Sequence, residues 1–400
     1  MDLTLLLDLD NTLLDNSMET FLPAYIQALG EHLSDLAAPE DMARWLMTGT
    51  QFMFANQRPD QTLEQVFEPH FYPHFDLDRA ALSARVDRFY NQVFPSLRRT
   101  TRPRQAAHRL MKTAVQRGYT IAIATNPLFP RTAIVQRMEW AGLSAEDDHI
   151  ALVPSMETFH FAKPNPAYLA ELLSYLGWPE GPVLMVGDDP ALDMACAAGL
   201  GIPSFWVRPE GTSYPEDAPP PTGEGTLDDL IPWLDRQPVE HLTPDFQSPA
   251  AILATLRGCP AALQTLTRDL PPAHWQRPPQ EGEWCLTEIL CHLRDVEREL
   301  TLPRLKAILN EETPFIVGVD SDAWAEERNY RAQDGKTALQ DYLLARLETL
   351  EILAALTPEQ WQRTAQHAIF GPTSLQEMMG FSARHDRMHV QQALQTIKKQ

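Results

Sequence analysis

Cysteine is scarce in this sequence: four in 400 residues, at Cys196, Cys259, Cys285 and Cys291. None forms a CxxC pair, so neither a disulfide framework nor a thiolate zinc knuckle is expected. Positive charge is also scarce, with 33 Lys+Arg against 54 Asp+Glu and a net charge of −21. That excludes nucleic acid as the expected partner, because a phosphate backbone selects a basic surface. No uninterrupted apolar run is long enough to cross a bilayer, which excludes a membrane span. The N-terminus lacks the basic start and small-residue cleavage site of an export signal, so a cytoplasmic location is expected.

What remains is ordinary globular composition, 44% hydrophobic and 22% charged, at a length suited to two or three domains. The acidity is uneven. Residues 1–247 carry 17 Lys+Arg against 34 Asp+Glu, and 248–400 carry 16 against 20. Nine prolines fall between Arg208 and Pro249, where the patterning also changes. The expected organisation is an α/β domain over 1–236, a linker over 237–247 and an all-α bundle over 248–400.

In the first part, short apolar runs alternate with helical patterns. Strands are predicted in Thr4–Asp10, a short apolar run ending in acids, and at Tyr119–Ala124, His149–Val153 and Pro182–Val186. This order implies a doubly wound parallel sheet with ligands at the strand carboxyl ends. Residues 17–97 show helical periodicity alone, as in Met18–Gly30, Pro39–Phe54 and Ala80–Phe94. The second part reads as four long helices without strands: Ala250–Leu270, Leu286–Asn310, Ala338–Leu356 and Ser374–Lys399.

Chemistry concentrates after the predicted strands. Asp8-Leu9-Asp10-Asn11-Thr12 sets two carboxylates on one side of an extended segment. Two acids so close repel unless a cation or phosphoryl group lies between them. A solvated acidic turn has the same short pattern, so three further pieces decide. Thr125-Asn126 ends a strand with a hydroxyl and an amide suited to a phosphoryl oxygen. Lys163 is the sole lysine between Lys112 and Lys306, and it precedes a helix opened by Pro166. Gly187-Asp188-Asp189, with Asp193 four residues on, supplies oxygen ligands for a divalent cation.

These four pieces resemble the haloacid dehalogenase (HAD) superfamily. The resemblance implies an Mg²⁺-dependent phosphomonoester hydrolase acting through an aspartyl-phosphate. It makes Asp8 the nucleophile and Asp10 the general acid/base, with Thr125 and Asn126 on the phosphoryl group. Lys163 neutralises charge, and the Mg²⁺ set is Asp8, Asp10 through its backbone carbonyl, and Asp188, with Asp193 or Asp189 in support. Dehalogenases of the superfamily lack the second acid, so Asp10 selects phosphatase chemistry; a mutase stays open. The helical insertion resembles a cap that closes over a small phosphorylated metabolite, and Arg58, His70 and His74 are its candidate site residues or plain surface groups.

His385 and His389, spaced i and i+4, share one helix face, and His292 interrupts an apolar helical face. With Glu283-Trp284 and Phe370-Gly371-Pro372-Thr373, they resemble the DinB-like four-helix bundles. The resemblance implies a site for Zn²⁺, Ni²⁺ or a similar ion on His292, His385 and His389, with positions left open. Asp295 and Asp386 are candidate partners for these imidazoles, Cys285 stands where a capping serine is usual, and Cys291 reads as core. The bundle's expected roles are metal binding, a metal-dependent thiol transferase activity, or a binding or regulatory module. A homodimer is left open.

Overall fold

The structure is a computed structural model that describes residues 2–146 and 148–399. It divides into two units at Pro244/Asp245, with Arg58–Asp60 and Ala170–Trp178 grouped with the second. The segment 237–247, expected as linker, contains a 3₁₀ turn at Val239–Leu242 with Leu242 buried.

The strand Thr4–Leu7 is fully buried because parallel strands are covered on both faces, which is why it reads as a continuous apolar run. It lies at the centre of a six-stranded parallel sheet. Leu5 pairs with Ile121 on one side and with Leu184 on the other. Beyond Thr120–Ile123 lies Ile150–Leu152; beyond Val183–Gly187 lie Ser204–Val207 and Gly223–Gly225. The chain therefore builds outward on one side of the first strand and then on the other. That reversal places a crevice at the strand carboxyl ends. The last two strands were absent from the sequence reading. Ser204–Val207 is only four residues long, and proline and acid-rich loops surround both.

The insertion between the first two sheet strands is helical, as expected. Its helices are Met18–His32, Pro39–Ala55, Leu63–Phe71 and Arg79–Arg88, the last continued by a π turn at Phe89–Val93. Leu63–Phe71 was not predicted, although Thr62 and Gln65 form a reciprocal capping box at its start. An antiparallel pair of two-residue strands, Leu14–Asp15 and Arg102–Pro103, joins the points where the chain leaves and re-enters the sheet domain.

In the second unit the four long helices are Pro249–Arg268, Leu286–Val296 extended through Leu302–Asn310, Gly335–Ala354 and Leu375–Lys398. Ile252, Leu256, Leu305, Leu350, Met378 and Met379 meet in their core. The expectation of no strands is corrected. Thr364–His367 pairs with Gly371–Ser374 and with Phe315–Ile316 in a three-stranded sheet. Alternating exposure along Thr364–His367 and a positive φ at Gly371 are the features of a hairpin.

One polar cluster crosses this bundle core. Arg346, 1% exposed, donates to Glu297 at 2.6 Å and also pairs with Asp386, which accepts from Tyr342 at 3.1 Å. Replacing Arg346 by Met keeps the volume and strands two buried carboxylates. The expected loss is about 3–5 kcal/mol, read as a lower urea midpoint for the helical transition of the full chain. An unchanged midpoint would show that the cluster contributes nothing.

Candidate active site and candidate metal centre

Four sequence segments converge at the carboxyl ends of the central strands. Asp8 follows Thr4–Leu7, Thr125 follows Thr120–Ile123, and Asp188 follows Val183–Gly187. Lys163 completes the group from a loop. Its ammonium, almost wholly buried, lies 2.8 Å from Asp8 and 2.5 Å from Asp193. Oxygen atoms of Asp8, Asp188 and Asp193 lie within 4.8 Å of one another. Burial above all raises the Asp8 pKa, against the pull of Lys163, with Asp193, Asp188 and Asp10 adding to the rise. Burial and then Asp193 push Asp188 up to about 7.

Local contacts explain how these groups are held. Asn126 accepts from the Lys163 backbone N–H at 3.0 Å and donates to its carbonyl at 3.4 Å. It therefore positions the lysine loop, a role the sequence reading did not assign. Asp193 spends one oxygen on Lys163 and accepts from the Asp189 N–H with the other at 3.1 Å. Asp189 caps the turn that follows, accepting from Ala191 and Leu192. A Cβ on Gly187 would stand 2.2 Å from Asp193 Oδ2, so glycine is what lets the strand end approach this acid. Trp206 donates to the Asp188 carbonyl at 2.8 Å.

Asp10 has partners that the sequence reading missed. Arg137 donates to one of its oxygens at 2.5 Å and Asn16 to the other at 2.6 Å. Arg137 is 1% exposed on the helix Arg131–Trp140, on the same buried stripe as Ala133, Ile134 and Met138. An arginine on an apolar helical stripe is a legible signal, since an unpaired buried guanidinium is costly. The cap candidates go elsewhere. Arg58 pairs with Asp60, His70 stacks on Phe52, and His74 stacks on Trp45; none of the three lines the cavity above Asp8.

The donor set suits a hard divalent cation: carboxylates crowd one small volume and two cationic side chains answer four acids. Asp8 and Asp188 are the residues placed to hold it, while both oxygens of Asp193 are engaged.

In the second unit, His292, His385 and His389 do come together. His385 Nε2 lies 2.9 Å from His292 Nε2 and 3.1 Å from His389 Nε2. Gln392 Oε1, an acceptor, lies 2.9 Å from His389 Nδ1, which therefore carries the proton and leaves Nε2 a lone pair. Burial first, then the neighbouring imidazoles, lowers the pKa of His292 to about 3 and of His385 to about 2. Neutral, converging nitrogens are a donor set for a transition metal. Trp284 stacks on His389 at 5.9 Å. The expected aspartate partners are corrected. Asp295 is taken by Arg294, Arg328 and Tyr330, and Asp386 by Arg346 and Tyr342. Asp386 follows His385 directly, so helix geometry turns it about 100° from the histidine face. Cys285 still opens its helix, with its N–H donating to Glu288 at 2.8 Å. Cys291 is buried, its thiol 3.6 Å from the Gln333 side chain.

Comparison with known proteins finds relatives for each half of the chain. A family model for haloacid dehalogenase-like hydrolases matches residues 3–201, and one for the DinB superfamily matches 255–393. Phosphoglycolate phosphatase of Rhodospirillum rubrum is 30% identical over 208 residues, covering 51% of this chain and 78% of that protein. The pyrimidine 5'-nucleotidase PynA of Streptococcus pneumoniae is 25% identical over 250 residues, 60% of this chain and 98% of its own. YfiT of Bacillus subtilis, whose name places it among metal-dependent hydrolases, is 28% identical over 141 residues, 34% of this chain and 78% of its own. The chain belongs to the haloacid dehalogenase-like hydrolases, and its residues 255–393 are similar to the DinB superfamily.

Proposed function

We propose that the first unit is an Mg²⁺-dependent phosphatase for a small phosphorylated metabolite, with Asp8 as nucleophile. The observation that carries this reading is the buried Lys163 ammonium shared by Asp8 and Asp193 beside Asp188, at the floor of a cavity that Thr125 also lines. A dianionic ester approaching a carboxylate meets strong repulsion. Lys163 offsets part of it, and Mg²⁺ held by Asp8, Asp188 and the Asp10 carbonyl would supply the remainder. An Asp8 oxygen then bonds to phosphorus as the ester P–O bond breaks, and Asp10 gives the leaving alkoxide a proton. In the second half, water bonds to phosphorus, its proton passes to Asp10, and the bond to Asp8 breaks. Arg137 and Asn16 fix the orientation of Asp10 for both transfers. Thr125 contributes its hydroxyl to the transferring group.

Asp8→Asn preserves volume and removes the nucleophile. Phosphate release from p-nitrophenyl phosphate in Mg²⁺ is expected to fall by about a thousandfold or more, and EDTA is expected to silence the parent chain reversibly. A variant within about tenfold of the parent would contradict covalent catalysis at Asp8.

The bundle's nitrogen donors support Zn²⁺ or Ni²⁺ at His292, His385 and His389 rather than Mg²⁺, which prefers oxygen. Elemental analysis of the untagged full chain is expected to find about one transition metal per chain, with most of it lost in His389→Ala. Equal metal content in the two proteins would move the site away from these histidines.

A further inference from the structure

The cavity over Asp8 carries more information than the reacting groups need. Its volume is about 570 Å³, far more than a phosphoryl group and a two-carbon body would occupy. Lys163 and Arg137 are the only cationic side chains among the described residues that line it. Lys163 is shared by Asp8 and Asp193, and Arg137 pairs with Asp10 through Nη1, its Nε and Nη2 lying buried without a partner. The insertion contributes no cation to the lining; its charged contributions are Glu64 and Asp87. A leaving group bearing a carboxylate or a second phosphate would therefore meet far more acids than cations, and no cation from the insertion.

Apart from Thr50 and Ser83, the remaining cap lining is apolar or aromatic. Tyr25 and Tyr90 share a hydrogen bond between their hydroxyls at 2.8 Å. Met18, Met47 and Phe54 line the cavity while 37–38% exposed. Large apolar side chains left wet inside a concave site are the signature of an apolar ligand body. Thioether side chains suit a body of variable shape.

We infer that the alcohol released by this enzyme is uncharged and predominantly apolar, so that the substrate is the phosphomonoester of a hydrophobic alcohol and not of a hydroxy acid or sugar. This inference rests on the phosphatase reading above. Its hydrolysis gives the free alcohol and inorganic phosphate, with one water consumed. The cap supplies binding energy to the alcohol body, and Asp8 and Lys163 engage the phosphoryl end.

The test is kcat/KM of the full chain in Mg²⁺ for n-alkyl phosphates from ethyl to hexyl, whose alcohols differ little as leaving groups. Each added methylene is expected to raise kcat/KM about three- to fourfold, the ratio that corresponds to about 0.8 kcal/mol per buried CH₂. Phosphoglycolate and phosphorylcholine are expected to fall well below hexyl phosphate. Met47→Lys puts a cation on a partly exposed cavity position and is expected to flatten the chain-length slope. A flat series in the parent chain, or phosphoglycolate or phosphorylcholine turned over better than hexyl phosphate, overturns the inference and leaves the phosphatase reading standing. Inertness toward every ester, p-nitrophenyl phosphate included, overturns both.

Discussion

A single buried ammonium organises the first unit. Lys163 is nearly inaccessible to water, a position that costs several kcal/mol for an unpaired charge. It is tolerated because Asp8 and Asp193 approach it from two different strand ends. Their approach in turn requires Gly187, whose missing Cβ leaves room for Asp193, and Asn126, which fixes the lysine loop at its backbone. Removing Asp8, Asp193 or Lys163 takes a partner from a buried charge. The same arrangement leaves Asp188 beside Asp193 in a crowd of acids that one lysine cannot balance. The charge count that ties these elements together also underlies the cation dependence proposed for the reaction.

The second unit settles its buried charges differently. Glu297 and Asp386 share the Arg346 guanidinium, with Tyr342 adding a hydrogen bond to Asp386. Burial shifts all three histidines toward the neutral form, and neighbouring imidazoles add to the shift at His292 and His385. Carboxylates in the first unit and imidazoles in the second form donor sets of different hardness, so the two candidate centres select different metals. Among the described residues, no helix is long and apolar enough to cross a membrane.

Much of this was legible because the chemistry sits at strand ends and on one helix face. Thr4–Leu7 and Val183–Gly187 are continuous apolar runs, so the acids that follow them were placed correctly. The i, i+4 spacing of His385 and His389 fixed their common face. What escaped had weaker local signals. Ser204–Val207 and Gly223–Gly225 are short edge-side strands defined by their pairing, and the small sheet in the bundle depends on segments about 50 residues apart. Arg137 stands out as an arginine on an apolar helical stripe, but its pairing with Asp10, like that of Asn16, is set by tertiary approach. Asp295 and Asp386 were assigned to histidines by proximity in sequence, whereas nearby arginines hold them. The apolar lining of the cavity was unreadable for the same reason: helices of the insertion, Phe129 and Met156 meet there only in the fold.

The most direct test of this account is to catch the phosphoryl group on Asp8. A single turnover in Mg²⁺, quenched in acid and mapped by peptide mass spectrometry, should show phosphate on the peptide containing Asp8 and none in the Asp8→Asn chain. Phosphate release during that turnover with no labelled Asp8 peptide at any quench time, or with the label on another side chain, would contradict it.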